Sequence, residues 1–326
     1  MRTFGRFLGR AVGGMVLIAA ALWIFGPYEE ISVSPTIFEV DVGADVDAYF
    51  EAQESRFDDI TEGVEKRVIW AGEPGAKTKQ AIVYMHGFSA TSEEIRPVPD
   101  LVAEALGANL IYTRLQGHGR SGAAMADATV QGWADDFAEA MIVARRVAEE
   151  VFVIGTSTGG TVVAAMLDQP EVMEAINGVI FVSPNFEISA STATLLSLPA
   201  ARFWVPLVAG ENRSFETRSE GHEKYWTSQY PTVALMQMAA LVSAVKDQDF
   251  STATTPALFM FSDEDVVVKA TATRAVAAQW GGPVTLAPQV LQAGSDPYSH
   301  VISGAIMSPA ETESDVEEIL LFINKI

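Results

Sequence analysis

After Gly75, short apolar runs alternate with segments of helical periodicity, and this alternation constrains the fold more than any other feature of the sequence. The runs are rich in Val, Ile and Phe and are found at Ala81–Met85, Asn109–Tyr112, Val151–Ile154, Val179–Val182 and Ala257–Phe261. The helical segments are found at Pro99–Leu106, Gly132–Glu149, Thr158–Leu167 and Ala270–Gln279. Short runs that are apolar throughout are typical of buried parallel strands. The pattern therefore predicts an α/β fold with a mostly parallel sheet flanked by helices.

One interval, from Asn185 to Thr254, contains no convincing strand. It has helical patterns such as Pro231–Lys246 and a concentration of large apolar side chains. Those side chains are Phe203, Trp204, Tyr225, Trp226, Tyr230, Met236 and Met238. We expect residues 185–254 to form a helical lid above the ends of the strands. Most of the large side chains would pack inside this lid, and a minority would form an apolar wall over a pocket.

The rest of the body divides around this lid. Residues 76–184 and 255–326 are expected to form the core. Residues 31–75 are a lead-in, with a helical stretch near Val46–Ile60 and a strand near Lys66–Trp70.

Residues 1–30 form a separate segment. Three arginines, Arg2, Arg6 and Arg10, precede an uncharged stretch from Ala11 to Tyr28, which Glu29 and Glu30 end. Eighteen helical residues span about 27 Å, close to the thickness of a membrane's hydrocarbon core. We expect a single membrane anchor with the arginines in the cytoplasm. The acidic body would then lie on the non-cytoplasmic side, which in a bacterium is the periplasm.

The alternative for this segment is a secretory signal peptide, which would leave a secreted body. Ala19-Ala20-Ala21 satisfies a small-residue cleavage rule, but cleavage there would leave Leu22, Trp23 and Ile24 exposed at the new terminus. The anchor is therefore the preferred interpretation. The order of arginines and then apolar residues argues against a buried helix of a soluble core.

Composition excludes several classes of function. The chain has 42 acidic and 21 basic residues and a net charge of −21. It would repel phosphate backbones and has no basic stripe, so nucleic acid is not an expected partner. The chain has no cysteine, which excludes disulfide scaffolds, thiolate metal sites and cysteine nucleophiles. The sequence has no H-E-x-x-H motif and no Rossmann glycine signature, so we expect neither a metal nor a cofactor. It leaves the oligomeric state open.

The strongest motif is Gly155-Thr156-Ser157-Thr158-Gly159-Gly160, which directly follows one apolar run and directly precedes a helical segment. A nucleophile on a sharp strand-to-helix turn needs small neighbours, because the backbone doubles back tightly there. The helix N-terminus also favours negative charge nearby. Ser157 is therefore the predicted nucleophile. The alternative is a glycine-rich turn with a passive serine.

A nucleophilic serine needs a base, and the chain has four histidines. His86 ends an early strand and is expected to shape a loop. His118 lies between two glycines and is interpreted as structural, and His222 lies in the lid beside two charged residues and is expected to be solvated. Elimination and position both leave His300, which follows the last predicted strand, as the base.

The amides that would hold a developing oxyanion follow from two of these loops. His86-Gly87-Phe88 would aim the Phe88 amide at the substrate oxygen, and the Thr158 amide would supply the second donor.

The base also needs a carboxylate to orient it. The strand Ala257–Phe261 is followed by Ser262-Asp263-Glu264-Asp265 and three valines. Asp265 is the preferred acid, because the valine run after it would anchor the turn and hold the carboxylate inward. Asp263 and Glu264 are more plausible as solvent-facing turn residues. Asp296, four residues before His300, is a local rival that a flexible loop would hold less well.

With these motifs in place, the chain resembles the α/β-hydrolase superfamily, in the branch of monoacylglycerol lipases, lysophospholipases and serine aminopeptidases. The matching features are His86-Gly87-Phe88, Gly117-His118-Gly119, the Ser157 turn, Ser262-x-x-Asp265 with its valines, and His300. They occur in the family's Ser, Asp, His order and cover residues from about 80 to 326. The sequence departs from the family at Ser262, where relatives commonly have glycine, and at Asp296-Pro297-Tyr298, where small residues are usual.

The resemblance implies a serine hydrolase that cleaves carboxylic esters through an acyl-enzyme. An apolar lid and a membrane-proximal body favour a monoacylglycerol, a lysophospholipid or a similar acyl ester as substrate. One alternative is an aminopeptidase, which would need a lid carboxylate for the substrate's ammonium. The candidates for that carboxylate are Glu211, Glu216, Glu220 and Glu223. The other alternative is a non-catalytic binding module on the hydrolase scaffold, although such modules usually lose a triad member.

Overall fold

The computed structural model describes residues 2–37 and 41–326. Its centre is a seven-stranded sheet in the order β1-β3-β2-β4-β5-β8-β9. The strands are β1 (Arg67–Ile69), β2 (Thr78–Met85), β3 (Asn109–Tyr112), β4 (Ala148–Thr156), β5 (Ile176–Val182), β8 (Ala257–Ser262) and β9 (Val284–Gln289). β1 runs antiparallel to β3, and the other neighbouring pairs are parallel. The predicted mostly parallel sheet is confirmed.

Helices cover both faces of this sheet. The α-helices of the described residues, including those that do not contact the sheet, are α1 (Arg2–Phe25), α2 (Val46–Glu54), α3 (Val98–Leu106), α4 (Val130–Val147), α5 (Thr158–Ala165), α6 (Pro170–Met173), α7 (Ala201–Ala209), α8 (Glu220–Tyr225), α9 (Ala234–Lys246), α10 (Ala270–Gln279) and α11 (Thr312–Lys325). Local signals set their ends. The Thr129 side chain caps α4 by accepting from the Gly132 amide, and α3 ends at Gly107, whose φ is +61°.

Alternate residues of each central strand pack on opposite faces of the sheet. Val83 and Val153 join one apolar cluster with Trp133 and Phe137 of α4. Ile82, Ile154 and Ile180 join a second cluster on the other face, with Val102 of α3 and Ile319 of α11. Because both faces are covered, the central strands are apolar throughout, as the sequence pattern predicts.

Residues 185–254, here called the insertion, leave the sheet after β5 and return to it at β8, the next strand in the sheet. The insertion is mainly helical and contains α7, α8 and α9. It also contains β6 (Asn212–Ser214) and β7 (Gln229–Pro231), which pair antiparallel in a separate two-stranded sheet. The expectation that the insertion holds no strand is therefore wrong for six residues.

Two other expectations differ from the structure. The helical stretch near 46–60 ends at Glu54, where α2 stops. The sequence pattern did not indicate β9, because this edge strand alternates between partly buried and exposed residues instead of being apolar throughout. The strand predicted near Lys66–Trp70 corresponds to β1, which is an edge strand of the main sheet through its pairing with β3.

The N-terminal helix α1 is long and apolar enough to cross a membrane. Its span, Arg6–Phe25, has a mean hydropathy of 1.9, and none of it is buried against the other described residues. The segment after it contacts the insertion: the Ala200 amide donates to Pro27 O over 2.7 Å, and Arg202 binds both carboxylate oxygens of Glu29. The end of α1 and the start of α7 are therefore held side by side.

Candidate active site

The strand order places two loops together at one edge of the sheet. β2 has β3 on one side and β4 on the other, so the chain reverses its direction of travel across the sheet at this point. Ligands of open α/β sheets bind at such a switch point, beyond the carboxyl ends of the strands. The loop after β2 contains His86-Gly87-Phe88, and the turn after β4 contains Ser157.

Ser157 lies on the turn between β4 and α5 with φ +49° and ψ −116°. A positive φ is strained for a residue with a side chain, and such strain is commonly found at functional positions. The turn is held by hydrogen bonds from the Ser157 amide to Val182 O and from the Asn185 amide to Ser157 O. These bonds fix the serine at the N-terminal end of α5.

The glycines around Ser157 are required by close packing. A Cβ atom on Gly155 would lie 2.8 Å from the Cα of Gly160, and one on Gly159 would lie 2.6 Å from the carbonyl oxygen of His86. Both distances are shorter than van der Waals contact. Any larger residue at either position would push the start of α5 away from β2 and β4.

Ser157, His300 and Asp265 form a continuous line of hydrogen bonds. His300 Nε2 lies 3.0 Å from Ser157 Oγ, and His300 Nδ1 lies 2.8 Å from Asp265 Oδ2. With a proton on Nδ1, the free lone pair of Nε2 faces the serine hydroxyl, which then donates to it. This is the arrangement in which a histidine can accept the serine proton.

Asp265 is fixed by the chain that follows it. Its Oδ1 accepts from the amides of Val267 and Val268 over 2.7 and 2.9 Å, which leaves Oδ2 for His300. The Asp265 side chain is 1% exposed. Of the three valines, Val266 and Val267 are exposed and only Val268 is buried, so backbone amides hold the carboxylate more than the expected valine anchor does.

Among the described residues, none of the three rival acids is hydrogen-bonded to the imidazole of His300. Asp296 accepts from the backbone amides of Tyr298, His300 and Val301 and so shapes the loop that carries the histidine. Asp263 forms an exposed ion pair with Arg274. Glu264 is exposed.

The electrostatics of the site favour a charged histidine. Burial lowers the pKa of His300, but the nearby carboxylates of Asp265, Glu94 and Asp296 raise it, and the net effect is a pKa above the ordinary 6.5. An imidazolium that forms here is therefore stabilised by fixed negative charge.

The two amides expected to hold an oxyanion belong to Thr158, which follows the serine, and to Phe88, which follows Gly87 next to the serine side chain. Neither the Phe88 amide nor the Thr158 amide has a hydrogen-bond acceptor among residues 2–37 and 41–326. The Phe88 ring packs edge-on against Tyr230 and His118, with ring centroids 5.4 and 5.5 Å apart. The insertion also bonds the same loop, because the Thr227 amide donates to Ser89 O over 2.7 Å.

The other three histidines are buried. His86 Nδ1 lies 2.9 Å from Gly87 O, and its Nε2 accepts from the Leu115 amide, so it ties two loops together as a neutral ring. His118 lies beside it, and burial lowers its pKa to about 4. The expectation that His222 is solvated is wrong: this side chain is 7% exposed and packs between Phe215 and Trp226.

One acidic residue near the site was not indicated by the sequence. Glu94 is 3% exposed, and its Oε2 accepts from the Gly87 amide over 2.6 Å and from the Tyr84 hydroxyl over 3.2 Å. In the sequence, Ser92-Glu93-Glu94 is a polar run typical of a solvated turn. Glu94 is buried because its segment folds back against the loop after β2, and no local sequence pattern indicates this contact.

An apolar cavity of about 360 Å³ lies in the insertion, close to the serine turn. It is lined by Ile188, Ala193, Leu196, Trp204 and Met238, among others. Met238 accepts a hydrogen bond from the Asn185 side chain, and the Asn185 amide bonds Ser157 O, so one residue separates the cavity wall from the serine backbone. Within the described ranges, no group of three or more His, Asp or Glu side chains is placed to hold a metal ion.

Comparisons with known proteins agree on the class of fold. A family model described as "Serine aminopeptidase, S33" matches residues 76–287. A thermostable monoacylglycerol lipase from a Bacillus species is 26% identical over 188 residues, which are 57% of this chain and 71% of that enzyme.

Two solved structures extend the similarity beyond the family match. One is from a study of two metagenome-derived lipolytic enzymes, LipS and LipT. It has a TM-score of 0.67 and 20% identity, and the match covers 82% of this chain and all of that one. The monoacylglycerol lipase of Paleococcus ferrophilus has a TM-score of 0.57 and 14% identity over 80% of this chain and 99% of its own.

Proposed function

The chain belongs to this serine aminopeptidase-type family of the α/β-hydrolase fold, and from that premise we propose that it is a carboxylic ester hydrolase with Ser157 as nucleophile. The observation that carries the proposal is the line of hydrogen bonds from Ser157 through His300 to Asp265. The amides of Phe88 and Thr158, which have no acceptor in the described part of the chain, support the same assignment.

The first half of the reaction forms an acyl-enzyme. His300 Nε2 takes the proton of Ser157 as Oγ attacks the ester carbonyl, and Asp265 stabilises the imidazolium that forms. The Phe88 and Thr158 amides donate to the oxyanion of the tetrahedral intermediate. One such donor contributes about 3 kcal/mol to transition-state stability. Collapse of the intermediate releases the alcohol, which takes the proton from His300.

The second half returns the serine. His300 accepts a proton from a water molecule as that water attacks the acyl carbonyl, and the same two amides hold the second oxyanion. The proton then passes to Ser157 Oγ as the carboxylic acid leaves.

We infer that the substrate is an acyl ester of a small alcohol, such as a monoacylglycerol or a lysophospholipid. The apolar cavity in the insertion has the lining of an acyl-chain site. The Bacillus relative, named as a monoacylglycerol lipase, supports the same substrate class. In this role the insertion acts as the lid that the sequence predicts.

The aminopeptidase alternative receives less support from the insertion. A peptidase that removes an N-terminal residue would need a carboxylate facing the site to bind the substrate's ammonium. Glu211, Glu216, Glu220 and Glu223 are all exposed. An exposed carboxylate contributes little to binding a cation.

We also infer that α1 anchors the enzyme in a membrane, with the body on the non-cytoplasmic side. Its length and hydropathy support an anchor, and its junction to α7 holds the insertion next to the point where the chain would leave the bilayer. Phe203, Leu207 and Val208 of α7 are exposed there. A substrate with an acyl chain could then enter from the lipid phase. Secretion after removal of a signal peptide is the alternative.

The test is a turnover series with the full chain in detergent. p-Nitrophenyl esters with acyl chains of about two to sixteen carbons are compared with aminoacyl p-nitroanilides, and Ser157→Ala is the control. We expect turnover of esters, with an optimum above the acetyl ester because the cavity is apolar. Turnover of anilides without turnover of esters would favour the peptidase.

Covalent labelling separates an enzyme from a binding module. A fluorophosphonate should label the wild-type chain and leave Ser157→Ala unlabelled, because only an activated serine reacts. A folded wild-type chain that resists labelling and hydrolyses none of the esters would contradict the proposed triad.

A further inference from the structure

Glu94 is a buried acid that the proposed reaction does not use. It lies between the loop after β2 and the start of α3, and it is 3% exposed. It has no cationic side chain as a partner among the described residues; its Oε2 bonds the Gly87 amide and the Tyr84 hydroxyl. Burial of a carboxyl group without a cation is costly, so a residue of this kind usually has a role beyond packing.

Glu94 borders the reacting atoms as well as the loop. A Cβ atom placed on Gly87 would lie 2.6 Å from Glu94 Oε1 and 3.1 Å from Ser157 Cβ. The carboxyl oxygen and the nucleophile's own side chain therefore flank the same glycine. Only a glycine fits between them, and that glycine precedes Phe88, whose amide is the proposed oxyanion donor.

The segment that carries Glu94 also touches the loop that carries His300. A Cβ atom on Gly304 would lie 2.6 Å from the Cα of Ile95 and 3.1 Å from Glu94 O. The Ala305 amide donates to Arg96 O over 2.8 Å. Residues 94–96 thus brace both the oxyanion loop and the histidine loop.

The charges around Glu94 come from several elements. Tyr84 of β2 donates to it, and the charge of His300, on the loop after β9, lowers the pKa of Glu94. Asp265, after β8, and Asp296, on the histidine loop, face His300 in turn. Tyr112 of β3 lies beyond Tyr84, with the ring centroids 5.8 Å apart. Of these groups, only His300 changes charge during the proposed reaction.

We propose that Glu94 is a positioning residue of the active site. Its carboxylate holds the Gly87 amide, which sets the Phe88 amide in the oxyanion loop, and its negative charge stabilises the imidazolium of His300 in the transition state. The inference rests on the triad proposed above.

The ionisation of Glu94 falls where it can affect activity. Burial is the largest effect and raises the pKa of Glu94 to about 7. The Gly87 amide, His300 and Tyr84 lower this pKa but do not offset the burial. The negative charge of Glu94 in turn raises the pKa of His300. Because the two groups interact, the acid limb of the pH–rate profile belongs to the pair.

The test separates the hydrogen bond of Glu94 from its charge. Glu94→Gln keeps an oxygen that can accept from the Gly87 amide but removes the charge, so kcat should fall about tenfold with KM unchanged. The midpoint of the acid limb of kcat/KM should move to lower pH, because His300 loses a carboxylate. Glu94→Leu removes the acceptor too and should lower kcat by about 10²–10³-fold.

Two further variants serve as a control and as a second test. Glu93→Gln makes the same change one residue away, at a side chain that bonds Arg96 outside the site, and should leave kcat and the pH profile as they are. Tyr84→Phe is nearly isosteric and removes the hydroxyl that donates to Glu94. Loss of this hydrogen bond raises the pKa of the Glu94 carboxyl group. The acid limb should then move to higher pH with the plateau unchanged.

The outcomes distinguish this inference from the triad. If Ser157→Ala retains turnover, the triad itself is wrong. If Ser157→Ala is inactive while Glu94→Gln and Tyr84→Phe both show the wild-type kcat and pH profile, the triad stands and the role of Glu94 is overturned. If Glu94→Gln does not fold, Tyr84→Phe decides, and an unmoved acid limb overturns the inference.

Discussion

Two aspartates are hydrogen-bonded to His300, and they have different structural roles. Asp265 bonds the imidazole, whereas Asp296 bonds the backbone amides on either side of it. The ring needs one carboxylate to select its tautomer, and the loop needs the other to hold its shape. Distance along the chain is a poor guide here, since the acid four residues away serves the backbone and the acid 35 residues away serves the ring.

Replacement of each aspartate by asparagine should separate these roles. In Asp265→Asn the amide would still bond the Val267 and Val268 amides through its oxygen but would present N–H to His300, which favours the wrong tautomer. We expect kcat to fall about 10⁴-fold with little change in stability. Asp296→Asn should lower the unfolding free energy by about 1–3 kcal/mol, because buried amides lose acceptors, and should reduce kcat less. A larger loss of kcat in Asp296→Asn, measured with the same ester, would reverse the assignment.

The pH dependence follows from the histidine. In the proposed reaction His300 must be neutral to accept the serine proton, and its pKa lies above 6.5 because of the carboxylates around it. Activity should therefore be low in acid and rise with pH, with the midpoint of kcat/KM above 6.5. The same protonated histidine stabilises the fold at low pH, and this contribution is lost as pH rises through the folded pKa. A midpoint at or below 6.5 in a buffer series would contradict this electrostatic picture.

The sequence predicted Ser157 and Asp265 because each comes shortly after a buried strand, where parallel strands bring loops together, and it reached His300 through its position and the elimination of the other histidines. Ser157 and Asp265 follow β4 and β8, and His300 follows β9. Glu94 was missed for a physical reason: its burial arises from long-range packing of a polar turn, and local polarity indicates only solvent. His222 was misjudged in the same way, because its charged neighbours Glu223 and Lys224 are exposed although the ring is not.

Among the elements, α2 is fixed to the core by a buried ion pair. Arg114 donates to both carboxylate oxygens of Glu54 at the end of α2, over 2.7 and 2.8 Å, with side chains 4% and 7% exposed. Burial alone raises the pKa of Glu54, but Arg114 and the Lys66 amide lower it below its ordinary value. The stability that this pair gives is therefore present above the unfolded pKa and lost as pH falls through the folded one.

Breaking this pair should destabilise the protein strongly. Glu54→Ala leaves a buried guanidinium without its partner and should lower the unfolding free energy by about 3–5 kcal/mol, measured by denaturant titration. The double variant Glu54→Leu with Arg114→Met should recover much of the loss. As a matched control, Lys79→Met breaks the exposed pair with Glu150 and should cost less than about 1 kcal/mol. Equal losses of unfolding free energy in Glu54→Ala and Lys79→Met would show that the buried pair stabilises the protein no more than an exposed pair does.

The insertion should control acyl-chain length. Ala193→Phe fills part of the apolar cavity, and we expect turnover of long-chain esters to fall about tenfold or more while the acetyl ester is unaffected. Thr194→Phe adds the same ring to the next residue, which is exposed and does not line the cavity. An unchanged chain-length profile in Ala193→Phe would place the acyl chain elsewhere.

The sequence predicted elements best where they are buried on both faces. β2, β3, β4, β5 and β8 are apolar runs that leave little ambiguity, whereas β9 is an edge strand with alternating exposure and Pro288 within it. β6 and β7 have three residues each and gain their strand geometry from each other. A short strand that depends on a partner distant in the sequence has no local signal.

At the scale of the whole molecule, the absence of cysteine gives a direct test of topology. A single cysteine introduced at Lys79, whose side chain is 73% exposed, is the only thiol of the chain. If α1 is an anchor with the body outside the cytoplasm, a membrane-impermeant maleimide should label Lys79→Cys in intact cells. Phe4→Cys lies near the start of α1, on the proposed cytoplasmic side, and should react only after the membrane is permeabilised. The intact mass of the purified protein separates an uncleaved anchor from a processed signal.

The opposite labelling pattern would place the body in the cytoplasm and reverse the proposed orientation. Labelling of Lys79→Cys in the culture medium, with residues 1–21 missing from the mass, would instead support secretion.

The path of the chain at the insertion has a consequence for how such an enzyme can diversify. The chain leaves the sheet after β5 and re-enters it at β8, and these two strands are direct neighbours. The two ends of the insertion therefore join adjacent strands of the sheet, and the proposed nucleophile, base and acid all lie on loops outside the insertion. During evolution the insertion could be replaced or could change in length, and the range of esters accepted would change with it. The proposed catalytic residues would stay in place. The contacts that any such change would have to keep include the Thr227 amide on Ser89 O, the Asn185 amide on Ser157 O and the Val130 amide on the Gln237 side chain, where the insertion meets the rest of the chain.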